Sequence, residues 1–265
     1  MHPLDRDIEL TAAGKDLWAG RVTDEWAVNG TANGGYLLAL LAAAVARHTP
    51  RRATPIFTAN YLKRCPAGPA TIAVAAMASS TQFDRFEARL IQQDRENIRA
   101  WATFAGESNA CFEERIEAAP PVVADPEQCI GVPEMPRYTI FKHLDVRLDP
   151  ACAGWMTDGR LSPRSEQKGW LRFRQHRPHD LFSLIVAADA FPPAVLASQG
   201  MVAWVPTIEY SVNIRRIPET AWIKAVFRTR FNTCGMVEED GQLWDESGRL
   251  LALSRQIAQF RRAGP

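Results

Sequence analysis

Apolar residues crowd one stretch of the chain. Residues 36–46 form an apolar run built largely of Leu and Ala, both strong helix formers. A helix that is apolar nearly all round, rather than along one stripe, predicts burial on most faces. Asn29-Gly30-Thr31-Ala32-Asn33-Gly34-Gly35 precedes the run, and His48-Thr49-Pro50 stops it. Strand patterns follow. Residues 54–63 alternate loosely and end in the turn signal Arg64-Cys65-Pro66-Ala67-Gly68-Pro69. Residues 70–79, 83–92 and 98–105 read as three more strands, the last two separated by the polar turn Asp94-Arg95-Glu96-Asn97. Short turns between successive strands make antiparallel neighbours.

Periodicity lapses at 111–138, where Ala118-Ala119-Pro120-Pro121 and Ile130-Gly131-Val132-Pro133-Glu134-Met135-Pro136 read as a linker. The pattern then returns. Residues 141–148 and 170–175 read as strands. Residues 180–198 are helical in character, but Pro192-Pro193 predict a break with a new helix starting there. Strands at 207–216, 222–232, 235–244 and 249–260 follow, the last two flanking the turn Asp245-Glu246-Ser247-Gly248. The order of elements repeats at an offset of about 151 residues. Tyr61-Leu62-Lys63-Arg64-Cys65-Pro66 echoes Asn213-Ile214-Arg215-Arg216-Ile217-Pro218, and the turn at Asp94 echoes that at Asp245. The expected fold is α+β with two domains, 1–110 and 139–265, joined by the linker 111–138. In each, one helix covers the apolar face of a curved antiparallel sheet. Two such sheets can join edge to edge and protect each other's margins.

Composition narrows the function classes. The chain has 265 residues, of which 46% are hydrophobic, enough for a sizeable core. Its formal net charge is +1, so no global field gathers nucleic acid. The longest apolar run is about 11 residues, well short of the roughly 20 that span a bilayer. The sequence Met1-His2-Pro3-Leu4-Asp5-Arg6-Asp7 lacks the apolar core of a signal peptide. No membrane partner is expected. Cys65, Cys111, Cys129, Cys152 and Cys234 are scattered without CxxC spacing, which fits a reducing cytoplasm and neither a disulfide scaffold nor a zinc knuckle. His143, His176 and His179 lack the spacing of a metal site, and no metal is expected.

The residues offer several candidates for chemistry. No Gly-X-Ser-X-Gly elbow is present. Asp189 sits among Ala187, Ala188, Ala190 and Phe191, either as a functional carboxylate or as a cap on a helix starting at Pro192. Thr207 is an ordinary strand residue taken alone. Gln256 lies in a strand rich in Leu and Ala, and a buried Gln must be hydrogen-bonded. Gly34-Gly35 either makes a tight turn into the first helix or lets a ligand approach its start. Lys63-Arg64 and Arg215-Arg216, at strand ends, are a solvated face or a phosphate contact. Arg51-Arg52 and Arg261-Arg262 read as solubilising.

The ordered set resembles the double-hotdog acyl-CoA thioesterases, the TesB-like or thioesterase II group, over almost the whole chain. The resemblance rests on Trp26, Asn33-Gly34-Gly35-Tyr36, Ala188-Asp189, Thr207-Ile208-Glu209-Tyr210-Ser211, and Gly248-Arg249-Leu250-Leu251-Ala252 leading to Gln256. It implies two hotdog domains and hydrolysis of acyl-CoA to free CoA and a carboxylic acid. Asp189, Thr207 and Gln256 would hold the attacking water. The helix start at Asn33, Gly34 and Gly35 would lie near the thioester oxygen. Lys63, Arg64, Arg215 and Arg216 are candidates for the CoA phosphates. It implies no cofactor, coenzyme A being part of substrate and product. Joined sheets leave outer surfaces rich in apolar strand residues, so self-association into a homo-oligomer is expected. The better-known bacterial enzymes have Asp-His-Ser where this chain has Glu209-Tyr210-Ser211. Two alternatives remain: a hotdog dehydratase, for which the expected histidine is missing near either helix, and a non-catalytic acyl-CoA-binding hotdog protein.

Overall fold

The computed structural model describes residues 1–106 and 115–262. Residues 107–110 of the expected first domain, 111–114 of the expected linker and 263–265 lie outside the described residues.

The first half contains α1 (Pro3–Asp7), β1 (Thr11–Gly14), β2 (Leu17–Val22), β3 (Ala27–Val28), β4 (Thr31–Ala32) and α2 (Gly34–Val45). After these come β5 (Ala53–Tyr61), β6 (Gly68–Ser79), β7 (Phe83–Gln92) and β8 (Arg95–Ala105). The second half contains β9 (Ile130–Gly131), a 3-10 turn (Thr139–Lys142), β10 (Leu144–Leu148), α3 (Gly154–Thr157), β11 (Glu166–Phe173), α4 (Leu181–Ala187) and α5 (Val195–Gln199). It closes with β12 (Ala203–Trp204), β13 (Thr207–Ile214), β14 (Ile223–Arg228), β15 (Asn232–Thr233), β16 (Met236–Trp244), β17 (Leu250–Gln259) and β18 (Arg261–Arg262).

One continuous sheet runs β1-β2-β6-β7-β8-β5-β13-β17-β16-β14-β11-β10-β9, and its neighbours pair antiparallel. The seam between the halves is the pairing of β5 with β13, in register from Glu209↔Asn60 to Asn213↔Ile56. Thr58 and Ser211 share a hydroxyl–hydroxyl bond of 2.9 Å across it. Each half would otherwise leave an open edge there, and the seam satisfies both. α2 and α4 pack on each other inside the curved sheet. Every residue of α2 from Gly35 to Val45 is buried, as its all-round apolarity requires. The architecture is the double hotdog, with central helices wrapped by antiparallel sheets.

Several local expectations are corrected. The helical region 180–198 is shorter than its pattern suggests, because α4 stops at Ala187 and α5 starts only at Val195. Pro192 and Pro193 lie in the non-helical segment between them. A proline disfavours helical backbone in the residue before it, so a tandem pair resists continuation on both counts. Asp189 follows the C-cap Ala188 of α4 and does not cap α5, whose N-cap is Ala194. The strand expected from 141 begins at Leu144, after the 3-10 turn. The strand expected at 222–232 is split into β14 and β15. Ile130 and Gly131, inside the segment read as a linker, pair with Leu148 and Arg147 of β10 and form the far edge of the continuous sheet. No helix of the described residues is long and apolar enough to cross a membrane.

Candidate active site

The start of α2 meets the end of α4. Asn33 is the N-cap of α2, and its Oδ1 accepts the Tyr36 N–H at 2.9 Å. The amide Nδ2 of the same side chain donates to Asp189 Oδ2 at 2.9 Å and to the Asp189 carbonyl at 2.8 Å. The Gly35 N–H donates to Asp189 Oδ2 at 2.6 Å. Glycine is required at this crossing. A Cβ on Gly35 would lie 2.8 Å from the Ile185 carbonyl oxygen and 2.9 Å from Asp189 Cβ. One on Gly34 would lie 3.0 Å from both Asp189 Oδ2 and the Tyr61 hydroxyl.

The other carboxylate oxygen is held from the sheet. Gln256 Nε2 on β17 donates to Asp189 Oδ1 at 2.5 Å, and Thr207 Oγ1 on β13 donates to Gln256 Oε1 at 2.8 Å. Thr207 reaches Gln256 because the β13–β17 register shifts between Thr207 and Glu209. Tyr210 pairs with Gln256 and Thr207 with Ala258. In a regular strand the three-residue spacing of Thr207 and Tyr210 would put them on opposite faces, and the irregularity restores both to one face. Tyr210 is fully buried and donates its hydroxyl to the Ile185 carbonyl at 2.8 Å, which ties α4 to β13. That is the structural role of the Tyr in Glu209-Tyr210-Ser211.

Asp189 is therefore gripped by donors on both oxygens and sits in an otherwise apolar interior. Burial pushes its pKa up to about 6, against the opposing pull of the Gly35 N–H, the Gln256 amide and the Asn33 amide. Above that pH the group is an ionised, preoriented proton acceptor.

Asp189, Thr207, Gln256, Asn33 and Gly34 all line one cavity of about 590 Å³. Trp155, Met156, Phe191, Pro192, Val195 and Leu196 make much of its apolar lining. Lys63 and Arg64 also line it. Arg215 and Arg216 do not. They follow the far end of β13, whose eight residues run roughly 25 Å from Thr207, and their backbone N–H groups bond the Leu251 carbonyl.

Three cavity residues escape the sequence analysis. Tyr61 donates its hydroxyl to the Gly34 carbonyl at 2.7 Å. Arg261, taken as solubilising, lines the cavity instead. Glu239 lines it too, accepting the Ala194 N–H at 2.5 Å, and burial pushes its pKa up to about 8. Alternation with the buried Val237 and Gly241 along β16 was the available signal that Glu239 faces inward. No histidine lines the cavity among the described residues, and among them no group of three or more His, Cys, Asp or Glu is placed to hold a metal.

Comparison with known proteins bears on this geometry. Residues 117–260 match the family model of the acyl-CoA thioesterase C-terminal domain, and residues 22–105 that of the N-terminal domain. A crystal structure of a putative thioesterase II from Thermobifida fusca superposes with a TM-score of 0.88 at 24% identity, covering 99% of this chain and 98% of that one. The acyl-CoA thioesterase II TesB2 of Mycobacterium marinum gives a TM-score of 0.78 at 17% identity over 98% and 99% of the two chains. An uncharacterized protein of Mycobacterium tuberculosis is 25% identical across 97% of this chain and 95% of its own length.

Proposed function

This chain belongs to the double-hotdog acyl-CoA thioesterase family, and on that premise we propose that it hydrolyses acyl-CoA with a water held by Asp189, Thr207 and Gln256. The observation that carries this reading is the chain of donors from Thr207 through Gln256 to Asp189, which ends at the start of α2 inside the cavity. It leaves a carboxylate fixed in orientation, with the Thr207 hydroxyl on the same cavity to position a water.

In the proposed reaction the Asp189 carboxylate takes a proton from the water as its oxygen attacks the thioester carbon. Negative charge moves onto the carbonyl oxygen. The donors proposed to receive it are at the start of α2, where the Asn33 amide, on the cavity wall, and the Gly35 N–H, which does not line the cavity, hold Asp189 in the resting site. Protonation of Asp189 weakens its claim on those donors at the moment the oxyanion forms, so the same groups serve both charges in turn. The intermediate then collapses with cleavage of the C–S bond. The proton held by Asp189 passes to the departing thiolate, giving free CoA and a carboxylic acid. Lys63 and Arg64 would face the CoA phosphates, as point charge and fork respectively; Arg215 and Arg216 have no part in this assignment.

One observation favours a binding protein without turnover: the helix-start donors are already engaged by Asp189. Release of free thiol from acyl-CoAs of increasing chain length separates the two. Turnover of any member supports hydrolysis, and tight binding without thiol release supports the alternative. The free thiols of Cys65, Cys129, Cys152 and Cys234 favour a reducing cytoplasm. Exposed Ile56, Trp101 and Leu253 on β5, β8 and β17 favour self-association. Light scattering that gave only the 29.5 kDa chain would rule the latter out.

A further inference from the structure

The carboxyl group of Glu239 has no part in the water-activating chain, yet it stands next to it. Glu239 on β16 pairs directly with Gln256 on β17. Directly opposed residues on one face of a sheet carry Cβ atoms about 5 Å apart, so the Glu239 side chain is the immediate neighbour of the amide that holds Asp189. One Glu239 oxygen accepts the Ala194 N–H. That anchor lies between Pro193 and Val195, in the segment that, with Phe191 and Leu196, builds the apolar wall of the cavity. The acid is therefore fastened into the part of the cavity suited to an acyl chain.

Arg261, a cation on the same cavity wall, is engaged by Gln259. The charged groups acting on Glu239 are the carboxylates Asp189, Glu238 and Asp240, and Asp240 is itself occupied by Arg230 and Arg255. Burial among like charges keeps the group in its neutral form near pH 7. A neutral carboxyl has one oxygen to accept the Ala194 N–H and an O–H left to donate. On the other side of β16 the pairing ends at Arg228↔Asp240, and extending that register by one residue brings Thr229 opposite Glu239. Thr229 lines the same cavity, and its hydroxyl is buried without a hydrogen-bond partner. A polar row of Thr229, Glu239 and Gln256 thus crosses the cavity wall beside the apolar Phe191, Pro193, Val195 and Leu196.

We infer that Glu239, with Thr229 beside it, forms a specificity subsite that selects acyl groups bearing an uncharged oxygen substituent a few carbons from the thioester. A hydroxyl or ketone oxygen accepts the Glu239 proton in hydrogen bonding. A plain alkyl chain leaves that donor buried and unpaired, which a site built for an oxygen rejects strongly.

Because the subsite rests on hydrolysis at Asp189, its test has a binding arm. Hexanoyl-CoA, its 3-, 4- and 5-hydroxy forms and 6-aminohexanoyl-CoA are compared by kcat/KM, and a ratio between substrates cancels any loss common to all of them. The wild-type protein prefers one hydroxylated chain over hexanoyl by about tenfold or more. Glu239→Leu abolishes that ratio, Glu239→Gln keeps most of it because an amide still donates, and Thr229→Val lowers it partly. Equal rates on plain and hydroxylated chains, a preference unaltered in Glu239→Leu, or preference for the ammonium chain would each overturn the inference. If no thioester is turned over, hydrolysis fails as the function. The subsite is then judged by calorimetry on Asp189→Asn, where the same preference must appear as a ratio of Kd values and its absence overturns the subsite.

Discussion

Gln256 holds Asp189 from the sheet side: its Nε2 donates to Asp189 Oδ1 at 2.5 Å while its Oε1 is fixed by the Thr207 hydroxyl. The ionised Asp189 oxygen can only accept, so it sets which way the Gln256 amide points, and the Thr207 hydroxyl donates to the Oε1 left facing it. Gln256 thereby favours the ionised form of Asp189, in opposition to burial.

Removal of that donor should show in two readouts at once. Gln256→Ala is expected to lower kcat by about 10–100-fold through loss of positioning. It should also move the acid limb of the kcat/KM profile above its wild-type position near pH 6, because the ionised form loses a donor. Thr207→Val should follow in the same direction with a smaller effect. A lower rate with an unmoved acid limb would mean that Gln256 serves packing alone.

Asp189 also links pH to stability. Its folded-state pKa, about 6, lies above the ordinary carboxylate value of 3.8. The folded protein therefore binds this proton more tightly than the unfolded chain does. The resulting stabilisation is fully present below about pH 4 and is lost as pH rises through 6. Above that, holding the charge costs up to about 3 kcal/mol. Asp189→Asn should raise Tm at pH 8 and leave it little changed at pH 4. An Asn here meets donors on both sides, but a flip of the Gln256 amide relieves the conflict, since the Thr207 hydroxyl can accept as well as donate. Thermal unfolding of both proteins at the two pH values checks this, and an equal shift at both would contradict it.

Gly35→Ala tests the crossing of α2 and α4. The added Cβ meets the Ile185 carbonyl and Asp189 Cβ, both within 3.0 Å, and neither is the end of a flexible side chain. Overpacking of this kind costs about 1–3 kcal/mol, and here it also displaces the carboxylate. Both Tm and kcat should fall. Retention of both would show that the two helices part easily.

The two basic pairs separate by place. Lys63→Ala and Arg64→Ala should raise KM for acyl-CoA with little change in kcat, and the effect should weaken with added salt. It should vanish for an acyl-pantetheine, which lacks the nucleotide phosphates. Arg215→Ala and Arg216→Ala should leave KM unchanged. A larger KM effect at Arg215 or Arg216 would put the nucleotide on the opposite end of the sheet.

The parts of the fold legible in sequence were those with a long, uniform pattern. The apolar run of α2 and the alternating strands β6, β7 and β8 lie close to where periodicity puts them. Elements with few residues, or with neither alternation nor burial, were not legible. β1, Thr11–Gly14, is exposed throughout and carries no pattern. α4 was overextended because Ala187, Ala188 and Ala190 favour helix, while termination is decided by the two prolines and by tertiary bonds on Asp189. In the site, Asp189, Thr207 and Gln256 came from the resemblance; spacing alone left each ambiguous. Their convergence depends on a register irregularity in β13 and on glycines at a helix crossing, which sequence does not display. An acid in a strand is ordinarily solvated, and Glu239 is an exception only because of the wall around Ala194, which sequence does not display.

The central claim is that Asp189 activates the water, and steady-state hydrolysis of a reactive acyl-CoA by folded Asp189→Asn tests it most directly. Asn keeps the size of the side chain and removes the proton acceptor. Turnover is expected to fall by roughly 10²–10⁴, with a much smaller change in substrate binding. Turnover near that of the wild-type protein would reduce Asp189 to a clamp between α2 and α4 and contradict the mechanism.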